Sequence, residues 1–235
     1  MSTPETNVHT AEIAKFDALA ATWWDRDGAS RTLHDINACR VDFIAARATL
    51  SNSRVLDVGC GGGILTEALA ARGAVLTGID AAQEVIAVAR SHATGAGLII
   101  DYEVATAEAY ATRSPACFDV IVCMELIEHV PDPHSLIRAC AQLCKPGGDC
   151  FVSTLDRTPR AYLAAVLGAE YLLRLLPIGT HDYMSFIRPA ELAAMLRGND
   201  CELREVRGMR YNPLTRRGHL TVSPRANYLV HARRR

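Results

Sequence analysis

The stretch VLDVGCGGGILTEALA, residues 55–70, joins an apolar β-type run to an apolar helical pattern through a glycine-rich turn. Four glycines fill the turn, at Gly59, Gly61, Gly62 and Gly63. A turn without Cβ atoms lets a ligand approach backbone N–H groups closely, and the N-terminus of the following helix favours polar ligands. The order of strand, glycine turn and helix therefore predicts a nucleotide-like ligand at this position.

Short apolar runs and helical patterns alternate from this stretch onward. Strands are predicted at RVLDVG, AVLTGID, IIDYEV, FDVIVCM and DCFVSTL, and helical patterns such as DPHSLIRACAQLCKPGG separate them. This alternation indicates right-handed βαβ units and a parallel sheet covered by helices on both faces. Two later strand candidates, CELREVRGM and ANYLVHA, predict an antiparallel edge. We therefore expect an α/β fold with a doubly wound, mainly parallel seven-stranded sheet of the Rossmann type.

Length and composition limit the classes of protein that remain. A chain of 235 residues suits one domain, with residues 1–50 as an N-terminal helical cap and residues 160–187 as an apolar helical insertion after the fifth strand. The formal net charge of −1 does not favour nucleic acid as a partner. No run approaches the roughly 20 apolar residues of a membrane span, and MSTPETNVHT is unlike a signal peptide. Eight cysteines without a CxxC pair indicate reduced thiols, which predicts a cytoplasmic protein.

Two carboxylates beside the glycine turn distinguish between nucleotide ligands. Asp80 ends the second strand, about 20 residues after the first glycine, where a carboxylate accepts hydrogen bonds from the hydroxyls of an adenosine ribose. Asp57 lies directly before the turn, where it would repel a pyrophosphate and attract an ammonium group. These preferences favour S-adenosylmethionine, which carries an amine and a sulfonium, over NAD. A local backbone cap is the alternative role for Asp57.

The stretch VCMELIEHVPDP predicts a second group of functional side chains, at the end of the fourth strand. Glu125, Glu128 and His129 follow that strand, and one helical turn would bring them within an arc of roughly 100°. Two carboxylates and an imidazole beside a sulfonium suit a divalent cation, Mg²⁺ or Zn²⁺, that binds a catechol-like pair of oxygens. In the alternative, Glu128 caps a turn and His129 packs or acts as a metal-free base.

Several longer motifs resemble known methyltransferases. The glycine turn with its two carboxylates, and KPGG before the fifth strand, resemble class I methyltransferases that use S-adenosylmethionine. The motifs FDALAATWWD, LHDINACR, CMELIEHVPDP, GAEYLLRLLPIGTHDY and YNPLT together resemble the ubiquinone biosynthesis O-methyltransferase family, over nearly the whole chain. The resemblance implies methyl transfer to a ring hydroxyl of polyprenylated catechol-like intermediates, 2-polyprenyl-6-hydroxyphenol and 3-demethylubiquinol.

The resemblance also implies the residues of the site. Together with the turn, it gives the expected cofactor contacts as Arg40, Asp57, Gly59, Gly61, Asp80 and Met124. Among these, Arg40 would reach the methionine carboxylate from the N-terminal segment, while Ala107 and Glu108 would flank the adenine. The expected ligands of the divalent cation are Glu125, Glu128 and His129, and His129 is also the expected catalytic residue.

The apolar insertion, residues 160–187, predicts peripheral contact with the inner face of a membrane. Its apolar run is too short to span a bilayer, and a polyprenylated substrate resides in lipid. Arg160 and Arg174 would lie near anionic headgroups. A lid packed on the domain, or a dimer contact, is the alternative. Other quinone-biosynthesis enzymes are further expected partners.

Three other functions are weighed against this one. A methyltransferase for another small phenol or catechol fits the same motifs. A non-catalytic S-adenosylmethionine-binding subunit of a quinone-synthesising complex also fits them. A nucleic-acid methyltransferase is disfavoured, because CMELIEH occupies the place of the Asn/Asp-Pro-Pro-aromatic motif that modification of exocyclic amines would require.

Overall fold

The computed structural model describes residues 7–158 and 183–235 of the chain, and its centre is an eight-stranded sheet. The strands are β1 Arg54–Val58, β2 Val75–Asp80, β3 Asp101–Val104, β4 Phe118–Met124, β5 Cys144–Leu155, β6 Cys201–Asn212, β7 Arg217–Thr221 and β8 Asn227–Arg234. Their spatial order is β3-β2-β1-β4-β5-β8-β6-β7. Neighbouring strands from β3 to β5 are parallel, whereas β8, β6 and β7 pair antiparallel.

This sheet confirms the predicted α/β fold, with a parallel body and an antiparallel edge, and it contains one strand more than the seven predicted. The additional strand is β7, which pairs with β6 between Gly208–Thr221 and Asn212–Arg217. Its sequence, RGHLT, contains a single large apolar residue, Leu220. The alternation of apolar and polar residues that identifies a strand is therefore missing from β7.

Seven α-helices lie within the described ranges, together with short 3₁₀ helices at Ala20–Thr22, Ile127–His129 and Tyr183–Ser185. The α-helices are α1 Thr10–Leu19, α2 Arg31–Ala45, α3 Ile64–Ala70, α4 Gln83–Gly95, α5 Ala107–Arg113, α6 Pro133–Leu143 and α7 Pro189–Arg197. The start of α6 follows its sequence: the side chain of Asp132 accepts a hydrogen bond from the backbone of Ser135 at 3.1 Å, and Pro133 opens the first turn.

Alternate residues of the central strands pack into two different cores. In β4, Ile121 and Cys123 join the apolar cluster that includes α5, α6 and α7. Val120 and Val122 of the same strand join the cluster that includes α2 and α3. A strand that is apolar on both sides is typical of a parallel sheet between two helical layers. These layers leave the ends of the strands as the accessible part of the sheet.

Two further predictions concern the redox state of the cysteines and the apolar insertion at residues 160–187. All eight cysteines are free thiols, and six of them are buried. Residues 160–182 of the predicted insertion lie outside the described residues, whereas Phe186 and Ile187 at its end are buried. In the described ranges, no helix has the length and apolarity that crossing a membrane requires.

Candidate active site

The carboxyl ends of β1, β2 and β4 meet at one edge of the sheet, and a cavity opens there. Strand β1 lies between β2 and β4, so the strand order reverses at this point, which is where doubly wound sheets bind ligands. The cavity and its open mouth together hold about 1120 Å³ of space free of protein atoms. Apolar side chains of α1 and α2, such as Phe16 and Leu33, line it together with the ends of the strands.

The glycine turn lines this cavity. Gly59, Gly61 and Gly63 have φ angles of +71°, +54° and +91°, which residues with a side chain rarely adopt. The backbone N–H groups of Gly59 and Cys60 both donate to the carbonyl oxygen of Ile79, at 2.8 and 3.0 Å, and tie the turn to β2. Gly59 and Gly61, two of the predicted cofactor contacts, both face the cavity.

Two glycines of the turn are also required by the packing of Trp23. A Cβ atom on Gly61 would lie 2.4 Å from Cζ2 of Trp23, and one on Gly62 would lie 2.3 Å from Cδ1 of the same ring. The neighbouring Trp24 donates a hydrogen bond from Nε1 to the carbonyl oxygen of Gly62 at 2.9 Å. The bare backbone therefore accommodates an indole ring as well as a ligand, a role that the local sequence does not indicate.

Replacing Gly62 with Ala is expected to lower the free energy of unfolding by about 1–3 kcal/mol, because the new methyl group collides with Trp23. Gly95→Ala is the matched control: like Gly62, Gly95 has no left-handed φ, and nothing lies within 4 Å of the position of its Cβ, so the variant adds a methyl group without a collision. Urea denaturation measures both effects. Gly62→Ala should cost much less in a Trp23→Leu background than in wild type, and an equal cost in both backgrounds would contradict the steric explanation.

Asp57, which is buried, and Asp80, which is half-buried, contribute two carboxylates to the cavity wall. Asp57 is 2% exposed and accepts a hydrogen bond from the hydroxyl of Thr66 at 2.6 Å, rather than from the backbone N–H that a local cap would use. Burial raises the pKa of Asp57 to about 6, a cost that an adjacent cationic ligand would offset. Asp80 accepts hydrogen bonds from the N–H groups of Gly61 at 3.0 Å and Ala82 at 2.9 Å, and burial raises its pKa as well.

Arg40 of α2 places a buried cation against the same cavity. It is 4% exposed, and Nη2 donates to the carbonyl oxygen of Leu33 at 3.2 Å and to Oδ1 of Asn37 at 3.1 Å. Its Nε is buried without a hydrogen-bond partner. Burial lowers the pKa of Arg40, and the negative charges of Glu125 and Asp57 oppose that shift. A buried guanidinium with an unused donor suits an anionic group such as the carboxylate of methionine.

All six residues predicted to contact the cofactor line this one cavity. They come from α2, from the glycine turn and from the ends of β1, β2 and β4. They are Arg40, Asp57, Gly59, Gly61, Asp80 and Met124. The residues expected beside the adenine, Ala107 and Glu108 at the start of α5, line the cavity too. The structure therefore brings together residues that are far apart in the sequence.

Glu125 lies at the edge of the cavity in a strained backbone conformation. Its φ is +56°, in the left-handed region that non-glycine residues avoid. Its carboxylate accepts a hydrogen bond from the hydroxyl of Ser153 at 2.6 Å and two from the side-chain amide of Asn227, at 3.1 and 3.2 Å. Strain of this kind persists only where the surroundings hold it, and it is concentrated at functional sites.

Glu128 is held apart from the cavity. It is 7% exposed, and it accepts a hydrogen bond from the hydroxyl of Thr154 in β5 at 2.8 Å. Burial raises the pKa of Glu128, and the charge of Glu125 raises it further. Its carboxylate therefore packs against the sheet.

His129 faces the cavity and is oriented by α1. Its Nδ1 lies 2.9 Å from Oε2 of Glu12, and the ring of Phe16 meets the imidazole edge to face at 5.3 Å. Burial disfavours the charged imidazole, but the hydrogen bond with Glu12 and the charge of Glu128 outweigh it and raise the pKa of His129. The same hydrogen bond lowers the pKa of Glu12 to about 2. The carboxylate thus fixes the plane and the proton position of the imidazole.

Comparison with known proteins places the chain in a family. A family model described as a methyltransferase domain matches residues 31–206. The ubiquinone biosynthesis O-methyltransferase of Saccharophagus degradans is 52% identical over 235 residues, which is 100% of both chains. The protein of the same name from Pseudomonas aeruginosa is 54% identical over 228 residues, covering 97% of this chain and 98% of that one. The chain belongs to the ubiquinone biosynthesis O-methyltransferase family.

Solved structures of other methyltransferases share the fold. Magnesium protoporphyrin IX methyltransferase from Synechocystis, determined with bound S-adenosylmethionine, has a TM-score of 0.65 and 17% identity, covering 98% of this chain and 100% of that one. An S-adenosylmethionine-dependent methyltransferase from Thermotoga maritima has a TM-score of 0.66 and 16% identity, covering 95% of this chain and 100% of that one.

Membership of the family makes the chain an O-methyltransferase that uses S-adenosylmethionine. The cavity fits this cofactor by its own chemistry. The unpartnered Nε of Arg40 suits the carboxylate, and the buried carboxylate of Asp57 suits the ammonium. The bare backbone of the glycine turn allows the ligand to approach closely.

The predicted set of cation ligands is not assembled in this arrangement. The backbone of Glu125 is in the left-handed conformation, and Ile127–His129 is a 3₁₀ helix. Residues 125–129 therefore do not form the single α-helical turn that would align the three side chains. Glu125 hydrogen-bonds to Ser153, Glu128 to Thr154 and His129 to Glu12. Among the described residues, no group of three or more His, Cys, Asp or Glu is placed to hold a metal ion. We therefore derive no step through a metal.

The sequence did not indicate several residues that hold the site. Glu12 lies 117 residues before His129, and Asn227 lies 102 residues after Glu125. The only local signal for Glu12 is its position on the amphipathic stretch AEIAKFDALAATWWD. Asn227 opens the last strand and carries no motif of its own.

Proposed function

We propose that this chain methylates a ring hydroxyl of polyprenylated catechol-like intermediates of ubiquinone biosynthesis, 2-polyprenyl-6-hydroxyphenol and 3-demethylubiquinol. The observation that carries the proposal is one cavity with two kinds of lining. The glycine turn, Asp57 and Asp80 suit the cofactor, and His129 and Glu125 lie beside them. Identity above 50% along the whole chain with relatives named for this pathway supports it.

Each cofactor group has a suitable partner in the cavity. Arg40 binds the carboxylate and Asp57 binds the ammonium. Asp80 accepts hydrogen bonds from the ribose hydroxyls. S-adenosylmethionine supplies an activated methyl group and leaves as a neutral thioether. The methyl donor is then fixed at both ends, so that much of the catalysis consists of positioning the acceptor in line with it.

The acceptor hydroxyl requires a base, which we assign to His129. A phenol with a pKa of roughly 10 is a poor nucleophile while it keeps its proton. As the new carbon–oxygen bond forms, the hydroxyl proton passes to Nε2 of His129, because Nδ1 is held by Glu12. The apolar side chains of Ile13, Phe16 and Leu33 line the cavity and suit the aromatic ring.

Methyl transfer from labelled S-adenosylmethionine to a short-chain demethylubiquinol tests the proposal. The matched control is the corresponding ubiquinol, in which the accepting hydroxyl already carries a methyl group, and it should accept no label. Transfer to simple catechols alone would favour a methyltransferase for another phenol. Tight cofactor binding without transfer to any phenol would favour a non-catalytic subunit of a quinone-synthesising complex.

A divalent cation, Mg²⁺ or Zn²⁺, at Glu125, Glu128 and His129 stays a prediction. Binding there would require these side chains to exchange their hydrogen bonds with Ser153, Thr154 and Glu12. Repeating the transfer assay in EDTA tests it. Activity lost in EDTA and restored by Mg²⁺ or Zn²⁺ would support a cation, whereas unchanged activity would leave His129 as a metal-free base.

Contact with anionic membrane lipid and with other quinone-biosynthesis enzymes also stays a prediction. The lipid contact is predicted for residues 160–187, of which 160–182 lie outside the described residues. The proposed substrate supports it, because a polyprenyl chain resides in lipid. Sedimentation with anionic liposomes, but not with neutral ones, is the expected result, and equal sedimentation with both would contradict it.

A further inference from the structure

Asn7 connects the N-terminal segment to two loops that are distant in sequence. Its Nδ2 donates to Oε1 of Glu108 at 2.7 Å and to the carbonyl oxygen of Asp132 at 2.9 Å. Its Oδ1 accepts a hydrogen bond from the N–H of Asp132 at 2.7 Å. One amide side chain therefore makes three hydrogen bonds, which join the residues before α1 to the starts of α5 and α6.

The segment that Asn7 anchors forms part of the cofactor cavity. Asn7, Val8 and His9 line the cavity, and so does Glu108. The two anchoring loops are themselves held at helix starts. Asp132 caps α6, and the hydroxyl of Thr106 caps α5 by accepting a hydrogen bond from Ala109 at 3.2 Å. The N-terminal segment is thus fastened to fixed points on the wall expected to flank the adenine.

We propose that Asn7 is a positioning residue that retains the cofactor by holding residues 7–9 across the adenosine end of the cavity. S-adenosylmethionine must enter, and S-adenosylhomocysteine must leave, in every turnover. The proposal implies that both movements open this wall, which breaks the hydrogen bonds of Asn7. Release of product by opening of such a segment limits the turnover of many enzymes.

The strength of these hydrogen bonds sets the size of the effect. One of the three has a carboxylate as its acceptor, and hydrogen bonds to charged groups are the stronger class. We therefore expect Asn7→Ala to raise the dissociation rate constant of S-adenosylhomocysteine roughly tenfold. The association rate constant should not fall, because an opened wall does not hinder entry.

Asn7→Asp is a more specific test than Asn7→Ala, because it keeps the size of the side chain and changes only its hydrogen-bonding groups and charge. The Asp keeps an acceptor for the N–H of Asp132 but places a carboxylate against that of Glu108. Dissociation should accelerate at least as much as in Asn7→Ala. Adding Glu108→Gln removes the repulsion and supplies a donor to the new Asp, so the double variant should release the product more slowly than Asn7→Asp does. Glu108→Gln alone is the reference for the double variant, because Glu108 itself lines the cavity. Thr10→Ala, at an exposed position of the same segment, is the matched control and should behave as wild type.

Stopped-flow tryptophan fluorescence is the readout, because the chain has two tryptophans and Trp23 lines the cavity. Faster dissociation in both Asn7 variants, with recovery in the double variant, supports the proposal. Dissociation within twofold of wild type in both variants overturns it, as does a lowered association rate, which would indicate damage to the site. The experiment uses no methyl acceptor, so its outcome is independent of the proposed substrate.

Discussion

Replacing His129 with Asn is expected to slow methyl transfer by about 10²–10⁴-fold, the usual contribution of a positioned general base. Asn preserves a polar side chain beside Phe16 but cannot accept the proton of the acceptor hydroxyl. Affinity for S-adenosylmethionine should stay close to that of wild type, because the groups assigned to the cofactor, such as Arg40 and Asp57, are untouched. Single-turnover transfer from labelled cofactor measures the rate, and titration calorimetry measures the affinity.

The pH dependence distinguishes a base from a packing residue. His129 must be neutral to accept a proton, and its pKa is raised by Glu12 and Glu128 despite burial. The rate should therefore fall as the pH drops below this raised pKa. In Glu12→Gln the imidazole loses its charged partner, its pKa falls, and the acidic limb of the profile moves to lower pH.

The matched control for Glu12→Gln is Lys15→Met. Lys15 contacts the other oxygen of Glu12, Oε1, at 2.6 Å, and it is half exposed. Its loss should change the profile much less than the loss of the carboxylate does. A wild-type rate in His129→Asn across the pH range would mean that another group lining the cavity, such as Glu125, accepts the proton.

Most of the fold was predictable because the strand patterns, the helical patterns and the helix-start signals all indicated the same order of elements. The β-type runs alternate with helical patterns. The glycine turn marks the start of α3, and Asp132 marks the start of α6. β7 was missed for the converse reason. Its RGHLT sequence pairs with β6 and packs beside α2, so tertiary contacts rather than its own alternation define it as a strand.

Only those site residues were predictable whose roles follow from their neighbours in the sequence. Asp57, the glycines and Asp80 follow from the order of strand, turn and strand, and the structure places them on one cavity. The prediction that Glu125, Glu128 and His129 lie within one arc required a helical segment. The backbone of Glu125, the first residue of this segment, is in the left-handed conformation instead. Partners supplied from the far ends of the chain, such as Glu12, leave no local pattern to find.

Arg40→Met is expected to weaken S-adenosylmethionine binding by roughly 10²–10³-fold, because truncating one partner of a buried, hydrogen-bonded charge pair costs about 2–5 kcal/mol. Met keeps the length of the aliphatic stem and removes the guanidinium assigned to the carboxylate. The free energy of unfolding without ligand should fall as well, by about 1–3 kcal/mol. The variant leaves the carbonyl oxygen of Leu33 and Oδ1 of Asn37 without this donor, and it removes a positive charge near the buried carboxylate of Asp57.

Arg47→Met is the matched control for Arg40→Met, and it should lose stability without losing affinity for the cofactor. Arg47 follows α2, and its Nε lies 2.6 Å from Oε2 of Glu205 in β6, outside the cavity lining. Its loss should lower the free energy of unfolding by about 1 kcal/mol and leave cofactor affinity unchanged. Calorimetric titration and urea denaturation of both variants separate the two roles. If Arg40→Met lost stability and kept its affinity, Arg40 would be a structural residue, and the methionine carboxylate would have to bind elsewhere in the cavity.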